Sequence, residues 1–267
     1  MAKSSSGERD SCDSIQWGEA PGSVELGAAE VHVWAALLNG EPARFANFLS
    51  PVERERAACF HFECHRRRFI VGRGLLRLLL ARYLRADACG LEFSYGVNGK
   101  PELAGPFADS GIRFNLAHSE DLAILAVSRL ASVGVDLERI IPLEDASELV
   151  ARFFSTHENA AFQKLAENQR PAAFFNLWTR KEAWLKATGE GIAHSLNLVE
   201  VSFLPGEPAR LVSLPKHLSQ SSSWSLYNLA PAENFAAALA IAREGIKLRC
   251  WRWEPQPTGS TFETQPC

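Results

Sequence analysis

Apolar and polar positions along the chain alternate in two ways, and the two rhythms follow one another in a fixed order. The run Val31-His32-Val33-Trp34-Ala35 is rich in β-branched and aromatic side chains and predicts a strand. Ser50-Pro51 followed by Val52-Glu53 carries an N-cap residue, a proline for the first helical position and an acidic first turn, so a helix starts there. A long helix is expected over 64–84, with Phe69, Leu76, Leu79, Leu80 and Tyr83 on one face. Asn98-Gly99 marks a turn. Strand patterns return at 112–115, 122–127 and 133–137, and helical patterns at 144–153, 156–166 and 171–186. Strand-like stretches close the chain at 198–204, 224–229, 236–242 and 248–253. Strand, helices and strands thus occur and then occur again. That order predicts an α+β fold of two similar halves meeting near 130–133. The division expected is a disordered, Ser/Gly-rich leader over 1–24, halves over 25–131 and 132–255, and a flexible tail over 256–267.

Composition narrows the function. The 267 residues are 46% hydrophobic and 22% charged, enough apolar material for a real core. Lys+Arg 28 against Asp+Glu 31 gives a net charge of −3, which argues against a nucleic-acid binder. No apolar run approaches the ~20 residues of a membrane span. The best one, 75–84, is broken by Arg77 and Arg82. The first twenty residues carry no apolar core of an export signal. The cysteines form no C-x-x-C pair, so free thiols in a cytoplasmic protein are expected.

Two segments carry candidate chemistry. In Val133-Gly134-Val135-Asp136-Leu137-Glu138, read as a strand, Val133, Val135 and Leu137 face one side and Asp136 and Glu138 the other. Two carboxylates so close repel unless a cation or a proton compensates. A hard divalent ion such as Mg²⁺ accepts that ligand set together with waters and phosphate. Taken alone, the pattern is more often a solvated acidic edge. The second segment, Trp178-Thr179-Arg180-Lys181-Glu182-Ala183-Trp184-Leu185-Lys186, places Glu182 and Lys186 one helical turn apart on one face. By spacing alone that is an ordinary surface pair; the sharper alternative makes Glu182 a ligand or base and Lys186 a phosphate contact.

Other candidates are weaker. His61 and His65 near Cys59 and Cys64 resemble half a zinc site, but no second ligand pair matches them and Arg66-Arg67-Arg68 would repel a cation. No phosphate-binding P-loop, dinucleotide fingerprint or nucleophile elbow occurs. The basic run 66–68 with Arg73 and Arg77 is either a solvated helix face or a cradle for an anionic ligand.

Taken in order, the segments resemble the Sfp-type 4′-phosphopantetheinyl transferase family. The matching blocks are Ser50-Pro51 with its helix, Arg68-Phe69-Ile70-Val71-Gly72, Asn98-Gly99-Lys100-Pro101, Phe114-Asn115-Leu116-Ala117-His118-Ser119, Gly134 to Glu138, Arg152-Phe153-Phe154-Ser155 with Glu158, and Trp178 to Lys186. The resemblance implies two α+β halves related by a pseudo-twofold, with the active site in the cleft between them. It implies transfer of the 4′-phosphopantetheine arm of coenzyme A to a serine of an apo acyl or peptidyl carrier protein, releasing adenosine 3′,5′-bisphosphate. Mg²⁺, or Mn²⁺ in its place, would sit on Asp136, Glu138 and Glu182. Glu182 would also activate the carrier serine, and Lys186 would contact the phosphates and the leaving group. Arg56, Arg68, Lys100 and His118 would hold the nucleotide end. A monomer is expected, partnered by coenzyme A and a carrier protein, with no nucleic acid and no membrane.

This chain departs from the family pattern at two positions. Glu53 stands where the resemblance leads one to expect a lysine for the 3′-phosphate, so either Arg54 or Arg56 substitutes or 3′-phosphate recognition is weaker. Ala117 replaces a serine, which leaves a backbone N–H to meet the phosphate there. The alternatives to a transferase are a Mg²⁺-dependent nucleotide pyrophosphate hydrolase and a non-catalytic coenzyme A-binding adaptor.

Overall fold

The computed structural model describes residues 15–189, 196–214 and 223–254. One succession of elements occurs twice in it. The first pass is β2 (Glu30–Leu37), α1 (Ala43–Ala46), α2 (Pro51–Ala58), α3 (Glu63–Leu84), the hairpin β3 (Glu92–Tyr95) and β4 (Pro101–Ala104), β5 (Ile112–Ser119) and β6 (Leu122–Arg129). The second is β7 (Val133–Arg139), α4 (Ala146–Phe153), α5 (Thr156–Phe162), α6 (Arg170–Thr188), the pair β8 (Glu200–Val201) and β9 (Leu211–Ser213), β10 (Ser225–Leu229) and β11 (Phe235–Ile241). In each pass the last strand lies antiparallel between the other two, as β2-β6-β5 and as β7-β11-β10. The two α+β halves therefore share one topology, as a pseudo-twofold requires.

Strand alternation sorts side chains into layers. Val31, Val33 and Ala35 of β2, with Ile124 and Ala126 of β6, face Val133, Val135 and Leu137 of β7 and Leu239 and Ile241 of β11. The two sheets thus pack face to face. On the outer face of the first sheet, Trp34, Leu125 and Val127 meet Leu76, Leu79 and Leu80 of α3. On the outer face of the second, Ala236, Ala238 and Ala240 meet Ala183 and Trp184 of α6. Those small alanines let α6 lie close to its sheet. Gly134 lets it lie closer still: a Cβ there would stand 2.1 Å from the Ala183 carbonyl oxygen and 2.4 Å from the Ala187 nitrogen.

Each half is closed by the same buried bolt. Ser50 Oγ accepts the Glu53 N–H while Glu53 Oε2 accepts the Ser50 N–H, a capping box at the start of α2. The same Glu53 carboxylate is buried and paired to Arg77 Nε at 2.8 Å and to Arg73 Nε at 3.2 Å. Ser155 and Glu158 repeat the box on α5, and Lys181 Nζ stands 2.5 Å from Glu158 Oε2. Both cations then donate to chain just beyond the long helix, Arg77 to the Ala88 and Leu91 carbonyls and Lys181 to that of Leu196. Glu53 is accordingly the counterpart of Glu158, not a misplaced phosphate contact.

Four expectations need correction. β12 (Lys247–Trp253) inserts parallel to β2 in the first half's five-stranded sheet, although it falls in the span 132–255. β1 (Trp17–Glu19), inside the expected leader 1–24, adds to that sheet beside β12. The strand expected over 198–204 shortens to β8, because Ser202 Oγ turns back to the Arg210 N–H and the Pro208 carbonyl. Cys59, Cys64 and Cys250 are free thiols, but Cys89 is disulfide-bonded. The tail 256–267 and residues 1–14 lie outside the described residues. Among the described residues no helix is long and apolar enough to cross a membrane.

Two stability measurements check this packing. Lys181→Met should cost about 3–5 kcal/mol in urea unfolding by stranding a buried carboxylate, and adding Glu158→Gln should recover part of the loss. Gly134→Ala should cost about 3 kcal/mol, the upper end of overpacking, because only main chain stands in the way.

Candidate active site

β7 places Asp136 and Glu138 on the face toward α6, on the same side as Gly134, while its valines and Leu137 enter the sheet interface. The close approach at Gly134 then brings the last turns of α6 over them. Lys186 Nζ lies 2.6 Å from Asp136 Oδ1. Asp136 and Glu182 are 4% and 3% exposed, and Asp136 Oδ2 and Glu182 Oε1 are buried with no hydrogen-bond partner. Unpaired buried carboxylate oxygens are costly, so two in one place fit a cation-binding role.

The proton equilibria agree. Burial pushes Glu182 up to about 7, and the neighbouring Asp136 and Glu138 charges push the same way against Lys186. Burial also raises Asp136, opposed by Lys186. Glu138 is raised by burial and by Asp136, and is partly restored by the hydroxyl of Ser119. Each carboxylate is therefore held protonated more readily than in water, and a divalent cation would reverse that.

Asp136, Glu138 and Glu182 supply hard oxygen donors of the kind Mg²⁺ takes. They are not closed around a metal: among the described residues no three His, Cys, Asp or Glu side chains converge that tightly. Asp136 Oδ1 meets Lys186, and one oxygen of Glu138, Oε2, meets Ser119. The donor set and its two orphaned oxygens fit a divalent ion, with Lys186 supplying the nearest positive charge. His61 and His65 form no such group either.

The first half contributes the rim. Its β3–β4 turn reaches across to the end of α6, where Asn98 Nδ2 donates to the Gly189 carbonyl at 2.7 Å. Lys100 Nζ donates to the Lys186 carbonyl at 2.7 Å and the Val133 carbonyl at 3.1 Å, and its burial lowers its pKa. Both contacts sit where β7 begins and α6 ends. Arg68 Nε donates to Asp121 Oδ1 at 2.8 Å, in the turn that follows β5. Arg56 is exposed and lies over the Phe69 ring, one residue from Arg68. His118 is exposed beside Ser119 on β5.

The structure thus brings Asp136, Glu138, Glu182 and Lys186 within one another's electrostatic reach, with Lys186 and Asp136 in direct contact. It sets Lys100 at one end of the seam and Arg68 and His118 at the other, with Arg56 farther along α2. Two residues escaped assignment to a role. Asn115 Oδ1 accepts the Val135 N–H at 2.8 Å, and Ser119 Oγ both donates to Glu138 Oε2 at 2.9 Å and accepts the Arg139 N–H at 3.1 Å. Both lie in a quoted block, but which strand they would meet depends on long-range pairing that no local pattern reveals.

Comparison with known proteins supplies the family. Residues 38–130 match the model of the 4′-phosphopantetheinyl transferase N-terminal domain, and residues 132–240 that of the 4′-phosphopantetheinyl transferase superfamily. The chain is 40% identical to the 4′-phosphopantetheinyl transferase HetI of Nostoc sp. over 240 residues, which is 89% of this chain and 98% of that protein. It is 32% identical to the 4′-phosphopantetheinyl transferase psf-1 of Bacillus pumilus, over 71% of this chain and 78% of that one. Among solved structures, a holo-(acyl-carrier-protein) synthase from Bacillus anthracis in complex with CoA (3′,5′-ADP) is 21% identical, covers 41% of this chain and 93% of its own, and has a TM-score of 0.32. The boundary between the two matched models falls at the β6–β7 connection, and the second contains all four residues of the buried carboxylate cluster. With HetI aligned over nearly its whole length, the chain belongs to the 4′-phosphopantetheinyl transferase family.

Proposed function

We propose that this protein moves the 4′-phosphopantetheine arm of coenzyme A onto a serine hydroxyl of an apo acyl or peptidyl carrier protein. The observation that supports it most directly is the pair of orphaned carboxylate oxygens on Asp136 and Glu182, beside Lys186, in a chain of this family. Phosphoryl transfer asks the protein mostly for positioning and charge neutralisation. Asp136, Glu138 and Glu182 would hold Mg²⁺, or Mn²⁺, which supplies neutralisation of the pyrophosphate charge.

The remaining work falls to side chains. Glu182 takes the proton from the carrier serine as that oxygen bonds to the phosphorus bearing the pantetheine arm. The bond from that phosphorus to the bridging oxygen breaks, and adenosine 3′,5′-bisphosphate leaves. Lys186 moves from Asp136 toward the phosphates and offsets the charge on the departing oxygen. Lys100 spends two of its three donors on carbonyls, which leaves one for a phosphate oxygen. Arg68, His118 and Arg56 supply the positive rim for the nucleotide end. The two halves that would form the site belong to one chain, so a monomer suffices for this reading. Coenzyme A as substrate favours the cytoplasm as its place of work.

Incubation with coenzyme A, Mg²⁺ and a panel of apo carriers should add about 340 Da to the carrier serine, read by intact-mass spectrometry. No gain on any carrier overturns the reading, and coenzyme A breakdown without a carrier would identify a hydrolase. Glu182→Gln should lower transfer about 10²–10⁴-fold, the range of a lost general base, with an unchanged circular dichroism spectrum.

The same carboxyl makes a pH prediction for the metal-free protein. Because the folded state raises Glu182 to about 7 from 4.5, the native state binds more protons than the unfolded one between those values. Its contribution to stability therefore falls as pH rises through that window. Glu182→Gln should match the wild type in thermal unfolding at pH 4 and melt higher at pH 8. An equal difference at both pH values would contradict the raised pKa.

A further inference from the structure

β5 ends the five-stranded sheet and β7 ends the three-stranded one, so both are edge strands, and they meet at the seam between the halves. Side chains of β5 serve the free edge of β7. Asn115 takes the N–H of Val135 and Ser119 that of Arg139, both at a separation of 20 residues, so the strands run in the same direction. A serine hydroxyl has one proton to give and lone pairs to receive. At Ser119 both capacities are used: the oxygen receives the Arg139 N–H, which fixes it in place, and its proton goes to Glu138 Oε2. Glu138 is the least buried of the three carboxylates and has no contact with Lys186 of the kind that holds Asp136.

We infer that Ser119 is a positioning residue for this reaction: the first half of the chain uses it to aim the Glu138 carboxylate of the second half into the divalent-cation site. The inference rests on the proposed role of Glu138 as a ligand. Side chains that orient a metal ligand commonly govern affinity by about 10–100-fold when removed. Without the Ser119 hydroxyl, Glu138 keeps its charge but loses the contact that selects its direction, and the Arg139 N–H loses its partner.

The test measures Mn²⁺ binding to the full-length protein by electron paramagnetic resonance, without coenzyme A or carrier. Ser119→Ala should weaken binding about tenfold or more, Ser119→Thr should retain it, and Ser119→Ala should add little in a Glu138→Gln background. In transfer assays the Mg²⁺ concentration for half-maximal rate should rise by the same factor, while KM for the carrier stays unchanged. Wild-type Mn²⁺ affinity in Ser119→Ala overturns the inference, as does a Ser119→Thr protein that binds as weakly as Ser119→Ala. If Ser119→Ala does not fold, Ser119→Cys, with a weaker donor of similar size, decides: reduced affinity supports the inference and unchanged affinity overturns it. Mass measurement on the same samples separates this from the function itself, since a wild type that modifies no carrier would refute the activity whatever Ser119 does.

Discussion

At Gly134 the main chain of α6 occupies the space in which a side chain at this position of β7 would have to lie. That approach sets the distance between strand and helix, and the distance decides whether Lys186 can reach Asp136 and whether Glu182 lies within the field of the two strand carboxylates. A larger residue would move α6 outward, water would enter, and the three acids would become ordinary solvated groups. The alanines of β11 that face α6 serve the same end from the neighbouring strand. The site's electrostatics follow from a packing constraint. Burial is the leading cause of the raised pKa at each of the three carboxylates.

Burying acids is unfavourable, and the structure offsets it with rigidity elsewhere. Glu53 and Glu158 are also buried acids, yet each meets a capping serine and basic partners from the long helix; Glu53 Oε1, which makes no hydrogen bond, still has the Arg73 guanidinium 3.2 Å away. The contrast with Asp136 and Glu182 is informative. Where the fold needs a buried carboxylate for its own sake it supplies the counter-charge, and where it leaves oxygens unpaired the counter-charge must come with a ligand. Lys181 and Glu182 are adjacent on α6 and fall on opposite sides of that distinction. Lys181 bolts the second half shut, while Glu182 waits for a partner.

Much of this was legible in the sequence because local rules carried it. Alternation on β7 put Asp136 and Glu138 on one face, the spacing of Glu182 and Lys186 put them on one turn, and Ser-Pro with an acidic first turn marked α2. What local rules did not reach was long-range pairing. Leu248 to Trp253 read as a strand, but nothing nearby says that it returns to lie beside β2 rather than beside β11. Trp17 to Glu19 is too short and too polar to signal a strand, and it exists because β12 offers it an edge. Glu53 looked like a lost phosphate contact because its partners Arg73 and Arg77 lie on the next helix. The sequence alone groups both cations with a basic run; the fold spends them on an internal pair.

That return of β12 bears on how the cleft can move. The chain leaves the second half after β11, yet its last described strand pairs with β2 from Glu30 to Ala36, so the first half's sheet is completed by residues from beyond the second half. The two halves are thereby joined by two chain crossings, β6 to β7 and β11 to β12, and by an apolar interface built from both sheets. Opening the cleft by swinging one half away would expose that interface and cost its burial. Ligand entry is better served by small moves of single side chains on a fixed frame. Lys186, about one third exposed at its end of the Asp136 pair, has that freedom. Asp136 and Glu182, sealed between α6 and β7, do not.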